Sequence, residues 1–133
     1  MEDNQNNIVL LTTNSPGFPP VVFHRAIKFW SSDNQPLIIH RTISGIEITD
    51  YGTFMKKRHI LHEETIPLKI KFDPIEIKKN HQEKFDWLNN NCEDFTSEVI
   101  EETCGKHQRP ASPQRCFWIA LLAVILITII LLR

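Results

Sequence analysis

The first third of the chain alternates between apolar and polar positions, as strands with one buried face do. Ile8–Leu11 is a short apolar run that ends at a loop rich in proline, and Val21–Trp30 alternates over a longer stretch. Leu37–Thr42 follows after a polar turn, so these last two stretches predict a β-hairpin. Gly45 and the short stretch Ile46–Ile48 extend the predicted sheet.

A further strand and a helix are predicted in the middle of the chain. Apolar residues alternate with lysines over residues 68–72, which indicates a strand with one solvated face. Asp73 is a suitable helix cap, because Pro74 follows at the first helical position and Glu76 adds a carboxylate to the first turn. The helix is expected to continue to about Leu88.

A second helix is predicted to begin near Asn91, after a run of asparagines, and to end at about Cys104 before Gly105. The strands therefore come first and the helices last. This order predicts an α+β domain over residues 1–103, with an antiparallel sheet packed against helices.

The C-terminal end differs sharply from this domain. Residues 116–132 carry no charged side chain and extend over roughly 25 Å as a helix, so residues 116–133 are expected to form a transmembrane anchor. Residues 104–115 contain basic residues and prolines but no acid, which predicts a juxtamembrane linker. No signal sequence is seen at the start, so the domain is expected to face the cytosol as in tail-anchored proteins.

Composition and charge narrow the function classes. A length of 133 residues fits one domain, and 15 basic against 16 acidic residues provide no positive field for nucleic acid. Three cysteines without a C-x-x-C pair indicate neither a disulfide framework nor a thiolate zinc site. The pair His59 and His62 lacks further ligands at zinc spacing, so no metal and no cofactor are expected. The basic run Lys56–Arg58 is typical of a solvated surface.

Cys92 is the residue on which a chemical function depends. It falls in the first turn of the predicted second helix, where the helix dipole and unpaired N–H groups favour a thiolate. It also shares a helix face with Phe95 and Val99, which is equally the pattern of an inert buried cysteine.

Three short blocks resemble the lecithin retinol acyltransferase-like family, which includes the small H-Ras-like suppressor phospholipases and acyltransferases. Residues 90–95 read NNCEDF and are similar to the N-N-C-E-H-F signature of that family. Residues 24–29, HRAIKF, and residues 37–40, LIIH, are similar to its H-W-A-I-Y-V segment and to the strand ending V-I-H. The resemblance implies a circularly permuted papain-like fold.

The resemblance also implies roles for three residues. Cys92 would be the nucleophile, His24 its base and His40 the residue that orients the base. The implied reaction takes an acyl group from a membrane phospholipid, holds it as a thioester on Cys92 and passes it to water or another acceptor.

Two alternatives stay open at this stage. A cysteine peptidase or amidase could use the same fold, and a tethered interaction module could have lost catalysis. Arg25 and Asp94 depart from the family pattern and favour the interaction module. The oligomeric state is not indicated by the sequence.

Overall fold

The computed structural model describes residues 4–19, 22–82, 91–105 and 113–133, and it shows an α+β arrangement of one antiparallel sheet and several helices. The strands are β1 (Asn7–Asn14), β2 (Phe23–Trp30), β3 (Pro36–Thr42), β4 (Gly45–Asp50) and β5 (Ile60–Pro67), and a short 3₁₀ turn (Asn4–Asn6) precedes them. The helices are α1 (Tyr51–Met55), α2 (Pro74–Asn80), α3 (Cys92–Cys104) and α4 (Pro113–Leu131). The order of strands in the sheet is β4-β3-β2-β1-β5.

The predicted hairpin of β2 and β3 is confirmed. The two strands pair from Trp30–Pro36 to Ile27–Ile39, and Asn34 adopts a left-handed conformation, with φ of 61°, in the loop between them. Strand β4 then pairs with β3 from Thr42–Gly45 onwards, which closes a two-residue turn.

The strand predicted at residues 68–72 is wrong, and the chain forms β5 just before it. Most of β5 is exposed and only Ile66 is buried, so this edge strand has no alternation of apolar and polar residues. Backbone pairing with β1 keeps it in the sheet. The backbone N–H groups of Lys69 and Ile70 instead donate to the carbonyl oxygen of Thr103. These residues therefore meet the end of α3 and do not enter the sheet.

Both predicted helix starts are confirmed. Asp73 caps α2 by accepting a hydrogen bond from the N–H of Glu76 at 3.2 Å. Helix α2 ends at Asn80, earlier than expected, and the rest of the predicted helix to Leu88 lies largely outside the described residues. Helix α3 ends before Gly105, whose φ of 87° suits glycine.

Two apolar layers flank the sheet, one on each face. Helix α3 covers the larger layer, in which Ile27, Phe29, Phe95, Val99 and Ile100 are among the buried residues. Phe54 of α1 covers the smaller one together with Leu11, Ala26 and Ile38. The alternation along β2 therefore places Arg25 on the α3 side and His24 on the α1 side.

The predicted transmembrane anchor is wrong. Among residues 4–19, 22–82, 91–105 and 113–133, no helix is long and apolar enough to cross a membrane. The apolar part of α4, residues 116–131, extends over roughly 24 Å, whereas a bilayer core is about 30 Å thick. The predicted cytosol-facing localisation depended on this single-pass anchor, so that prediction is wrong as well. Of the predicted linker, residues 106–112 lie outside the described part of the chain.

Candidate active site

The candidate site lies where β2 and β3 stop pairing. Their ladder ends at Ile27–Ile39, and nearer the start of β2 a side-chain hydrogen bond links the two strands. The Nε2 atom of His24 lies 2.9 Å from the Nδ1 atom of His40. The two predicted histidines are therefore in direct contact, as the resemblance implies.

Helix α1 supports both imidazole rings. The Phe54 ring centroid lies 5.0 Å from that of His40 and 6.1 Å from that of His24. Asp50 fixes the start of α1 by accepting a hydrogen bond from the N–H of Thr53 at 2.9 Å. The short capped helix α1 thus places the Phe54 ring against the histidine pair.

Glu47 extends the histidine pair to a third residue. It stands opposite His40 in the β3–β4 register, and its Oε2 atom lies 3.5 Å from the Nε2 atom of His40. A carboxylate only accepts, so this contact favours the His40 tautomer with its proton on Nε2. The Nδ1 atom of His40 then accepts from Nε2–H of His24, which leaves the lone pair of His24 on its Nδ1 atom.

Cys92 occupies the first turn of α3, which a reciprocal cap fixes. The Asn91 Oδ1 atom accepts from the N–H groups of Glu93 and Asp94, both at 3.0 Å. The Asp94 carboxylate in turn accepts from the N–H of Asn91 at 3.3 Å. Asp94, one of the two departures from the family pattern, therefore has a structural role as part of a capping box.

Arg25, the other departure, ties β2 to the same turn of α3. Its Nη1 atom donates to the Glu93 carboxylate at 3.1 Å, and the two side chains are only 11% and 12% exposed. Each partner follows a candidate catalytic residue directly in sequence. The ion pair therefore fixes the strand that carries His24 against the helix that carries Cys92.

Burial keeps both histidines neutral. It lowers the pKa of His24 well below its ordinary value, and the charges of His40 and Arg58 lower this pKa further. Burial and the charge of Arg58 lower the pKa of His40 from 6.5 to about 4. Both rings can therefore act as hydrogen-bond partners in neutral form at pH 7, and burial makes His24 a weaker base than a free imidazole.

The expected thiolate at Cys92 is not favoured. The side chain is 6% exposed, and burial raises the pKa of the thiol despite backbone hydrogen bonds from Arg25 and Glu93. The Glu93 charge raises this pKa further and the Arg25 charge lowers it. Desolvation thus outweighs the helix N-terminus. The resting pair is a neutral thiol with a neutral imidazole, so Cys92 needs a base to become a nucleophile.

Cys92 and His24 line one cavity of about 310 Å³. Its apolar wall consists of Phe18, Val22, Phe23 and Ile43, and its polar wall includes Glu47, Arg41 and Arg58. The structure therefore brings two of the three predicted catalytic residues to one cavity and joins the third, His40, to His24. Within the described residues, no cluster of histidine, cysteine and carboxylate side chains has metal-binding geometry.

Sequence reasoning missed Glu47 and Arg58. A two-residue turn between β3 and β4 places Glu47 opposite His40, so counting two residues forward from Gly45 would have found it. Arg58 stands in a basic run that resembles a solvated surface. Only the path of the chain after α1 brings it to the cavity, and the sequence carries no local signal for that path.

Comparisons with protein families, with curated proteins and with solved structures find no match to this chain. The resemblance to the lecithin retinol acyltransferase-like family and to the permuted papain-like fold therefore stays a prediction from the three sequence blocks.

Proposed function

We propose that this protein is a cysteine-dependent acyl hydrolase or acyltransferase, which holds an acyl group as a thioester on Cys92. The observation that carries the proposal is that Cys92 and His24 line the same cavity while His24 is hydrogen-bonded to His40 at 2.9 Å. A thiol, a base and a residue that orients the base are the parts that such chemistry needs.

Acylation begins with proton transfer from the Cys92 thiol to Nδ1 of His24. The sulfur attacks the ester carbonyl, and the imidazolium then donates its proton to the departing alcohol as the C–O bond breaks. The backbone N–H groups of Arg25 and Glu93 stabilise negative charge on the sulfur while the proton is away. The thioester and the free alcohol are the products of this half-reaction.

Deacylation repeats the proton transfers with a second nucleophile. Neutral His24 takes a proton from water or from another acceptor, which attacks the thioester carbonyl. The C–S bond breaks, the proton returns to the sulfur, and the thiol is restored with release of a carboxylic acid or a new acyl product. Positive charge on His24 is stabilised through His40 by the Glu47 carboxylate.

The apolar wall of the cavity favours ester-linked acyl chains as substrates. Four apolar residues line the same cavity as Cys92, which suits a hydrocarbon chain better than a peptide backbone with its hydrogen-bonding groups. Phospholipids, the substrates implied by the resemblance, belong to this class.

The test follows release of fatty acid and lysophospholipid from phosphatidylcholine vesicles. The wild-type protein is expected to release both, and Cys92→Ala is expected to release neither. Cys104→Ala is the matched control, because this cysteine lies in the same helix and packs partly against the core but lies outside the residues that line the cavity. Equal lipid turnover in wild type and Cys92→Ala would refute the proposal, and cleavage of peptides alone would favour the peptidase alternative.

A non-catalytic interaction module is the second candidate. Two observations favour it, because burial raises the pKa of Cys92 and lowers the pKa of His24. Arg25 and Asp94 no longer support it, because the ion pair and the capping box account for both residues. This candidate predicts a well-folded protein in which no ester acylates Cys92 at any pH between 5 and 9.

A further inference from the structure

Two guanidinium groups stand in the wall of the candidate cavity beside Cys92, and the mechanism above uses neither. They belong to Arg41 and Arg58, while Glu47 supplies the one carboxylate among the described residues that line this cavity. Glu47 is also the partner of His40. The described wall therefore carries more positive than negative charge next to the nucleophile.

Arg58 is held in a fixed position by two contacts. Its Nη1 atom donates to the carbonyl oxygen of Asn14 at 3.1 Å, and its Cζ atom lies 4.7 Å from the centroid of the Phe54 ring. The side chain is half-buried and keeps further N–H groups beyond the one that Asn14 uses. A guanidinium that is fixed but still accessible is suited to bidentate recognition of an oxyanion.

Arg41 differs from Arg58 because its guanidinium is buried and makes contacts within the fold. It is 2% exposed, donates to the carbonyl oxygen of His81 and stacks over Phe95 with its Cζ atom 5.6 Å from the ring centroid. Its charge contributes to the potential in the cavity, while Arg58 provides the donors that a ligand can reach.

We propose that the cavity recognises acyl substrates that carry an anionic oxygen group, a carboxylate or a phosphate, and that Arg58 binds this group. The acyl chain then lies along the wall of Phe18, Phe23 and Ile43 with its carbonyl carbon at Cys92. This inference rests on the proposed function, since it names the substrate class of the same site.

The position of Arg58 also links recognition to catalysis. Its charge contributes to the lowered pKa of both His24 and His40. An anion bound to Arg58 offsets that charge and raises the basicity of His24 only when such a substrate is present. The same contact thereby selects the substrate and activates the base.

The test uses two alkylating reagents of similar size that differ in charge. Iodoacetate carries a carboxylate and iodoacetamide a neutral amide, so the ratio of their rates at one cysteine reports the local preference for an anion. Cys104 provides the reference ratio in the same molecule. We expect the ratio at Cys92 to exceed that at Cys104 by about tenfold, the size of the attraction between two unit charges about 10 Å apart at an effective dielectric constant of about 20.

Variants assign this preference to Arg58. Arg58→Gln is expected to bring the two ratios within about twofold of each other, because one charge is lost. Lys57→Gln is the matched control, since it removes an exposed neighbouring cation that does not line the cavity, and it should retain the wild-type ratio. Equal ratios at Cys92 and Cys104 in the wild type, or an unchanged ratio in Arg58→Gln, would overturn the inference.

A binding measurement separates this inference from the proposed function. Calorimetric titration of Cys92→Ala with dodecyl phosphate and with inorganic phosphate should show binding that Arg58→Gln weakens. Binding of dodecyl phosphate alone would identify an anionic amphiphile, and equal binding of both would identify small anions. An inert Cys92 with intact Arg58-dependent binding refutes only the proposed chemistry, whereas no binding of either probe refutes the anion site.

Discussion

At the scale of single residues, the contact of Glu47 with His40 determines which nitrogen of His24 keeps its lone pair. The carboxylate fixes His40 with its proton on Nε2, and His40 in turn fixes His24. A change at Glu47 should therefore alter the rate of the reaction more than the affinity for substrate.

We expect Glu47→Ala to lower kcat on p-nitrophenyl butyrate by about 10- to 100-fold, the usual cost of removing a residue that orients a catalytic group, with little change in KM. Glu47→Gln keeps an accepting oxygen and should recover part of the loss. Steady-state kinetics provide the measurement, with the exposed Glu63→Ala as control. A change confined to KM would show that the contact between Glu47 and His40 does not orient the base.

The proposed catalytic residues should behave as a unit. His24→Ala is expected to lower the rate of acylation by about 10²- to 10⁴-fold, because it removes the general base. Cys92→Ala should abolish acylation, and adding His24→Ala to it should cost nothing more. His40→Gln retains a hydrogen-bonding side chain and should keep measurable activity. Rapid-mixing kinetics with a chromogenic ester provide the test, and full activity of His24→Ala would contradict this assignment.

The residues that could be predicted from the sequence are those carried by short motifs. Cys92, His24 and His40 each stand in a recognisable block, and the structure brings them to one end of the sheet. The pKa of Cys92 could not be predicted, because a motif shows the helix N-terminus but not the desolvation that outweighs it. Arg58 reaches the cavity only through tertiary structure.

At the scale of elements, the ion pair between Arg25 and Glu93 fastens α3 to β2. The salt bridge is mostly shielded from solvent, so loss of one partner leaves the other charge poorly solvated.

We expect Arg25→Gln to lower the free energy of unfolding by about 2 kcal/mol, below the full cost of a completely buried charge because both side chains retain some exposure. The double variant Arg25→Gln with Glu93→Gln should recover much of this loss, since it removes the unpaired carboxylate. Urea denaturation measures both. If Arg25→Gln is as stable as the wild type, the ion pair contributes nothing to the packing of α3 against β2.

Local sequence signals predicted the elements that begin at a helix cap or adjoin a tight turn. Asp73 and Asn91 begin helices where the sequence placed them, and the β2–β3 hairpin follows its alternation. Strand β5 was missed because it is exposed on both faces at all positions but Ile66, so it has no hydrophobic period. The alternation over residues 68–72 does not make a strand, because Leu68 and Phe72 pack against the core whereas Ile70 is exposed. The backbone N–H groups of residues 69 and 70 bond to the end of α3.

At the scale of the whole molecule, the buried histidine pair couples stability to pH. The pKa of His40 is about 4 in the folded protein against 6.5 ordinarily, so the unfolded chain binds a proton more readily. The free energy of unfolding is therefore highest above pH 6.5 and falls as the pH decreases towards 4.

We expect this loss to reach about 3 kcal/mol for His40, at about 1.4 kcal/mol for each unit of pKa difference. Urea denaturation at pH 7.5 and pH 4 should show the decrease, and His40→Gln should remove most of the part due to this residue. Identical pH dependence in wild type and His40→Gln would show that His40 is not held neutral by the fold.

For the C-terminal helix, the hydropathy of the sequence alone led to a wrong prediction of a membrane span. The apolar run of residues 116–132 was clear in the sequence, but a span of that length depended on a thinned bilayer. The described structure provides no helix that meets the length and apolarity of a membrane span. The residues of the proposed chemistry lie in β2, β3, β4 and α3.

Trapping the acyl-enzyme is the direct test of the proposed role of Cys92. The full-length protein is mixed with phosphatidylcholine vesicles, quenched in acid and analysed by intact mass, followed by peptide mapping. We expect an acyl mass increment on Cys92 that hydroxylamine removes, present in wild type and Cys104→Ala and absent from Cys92→Ala. An increment that persists in Cys92→Ala, or lipid turnover in wild type without any adduct under conditions that trap thioesters, would contradict the proposed role of Cys92.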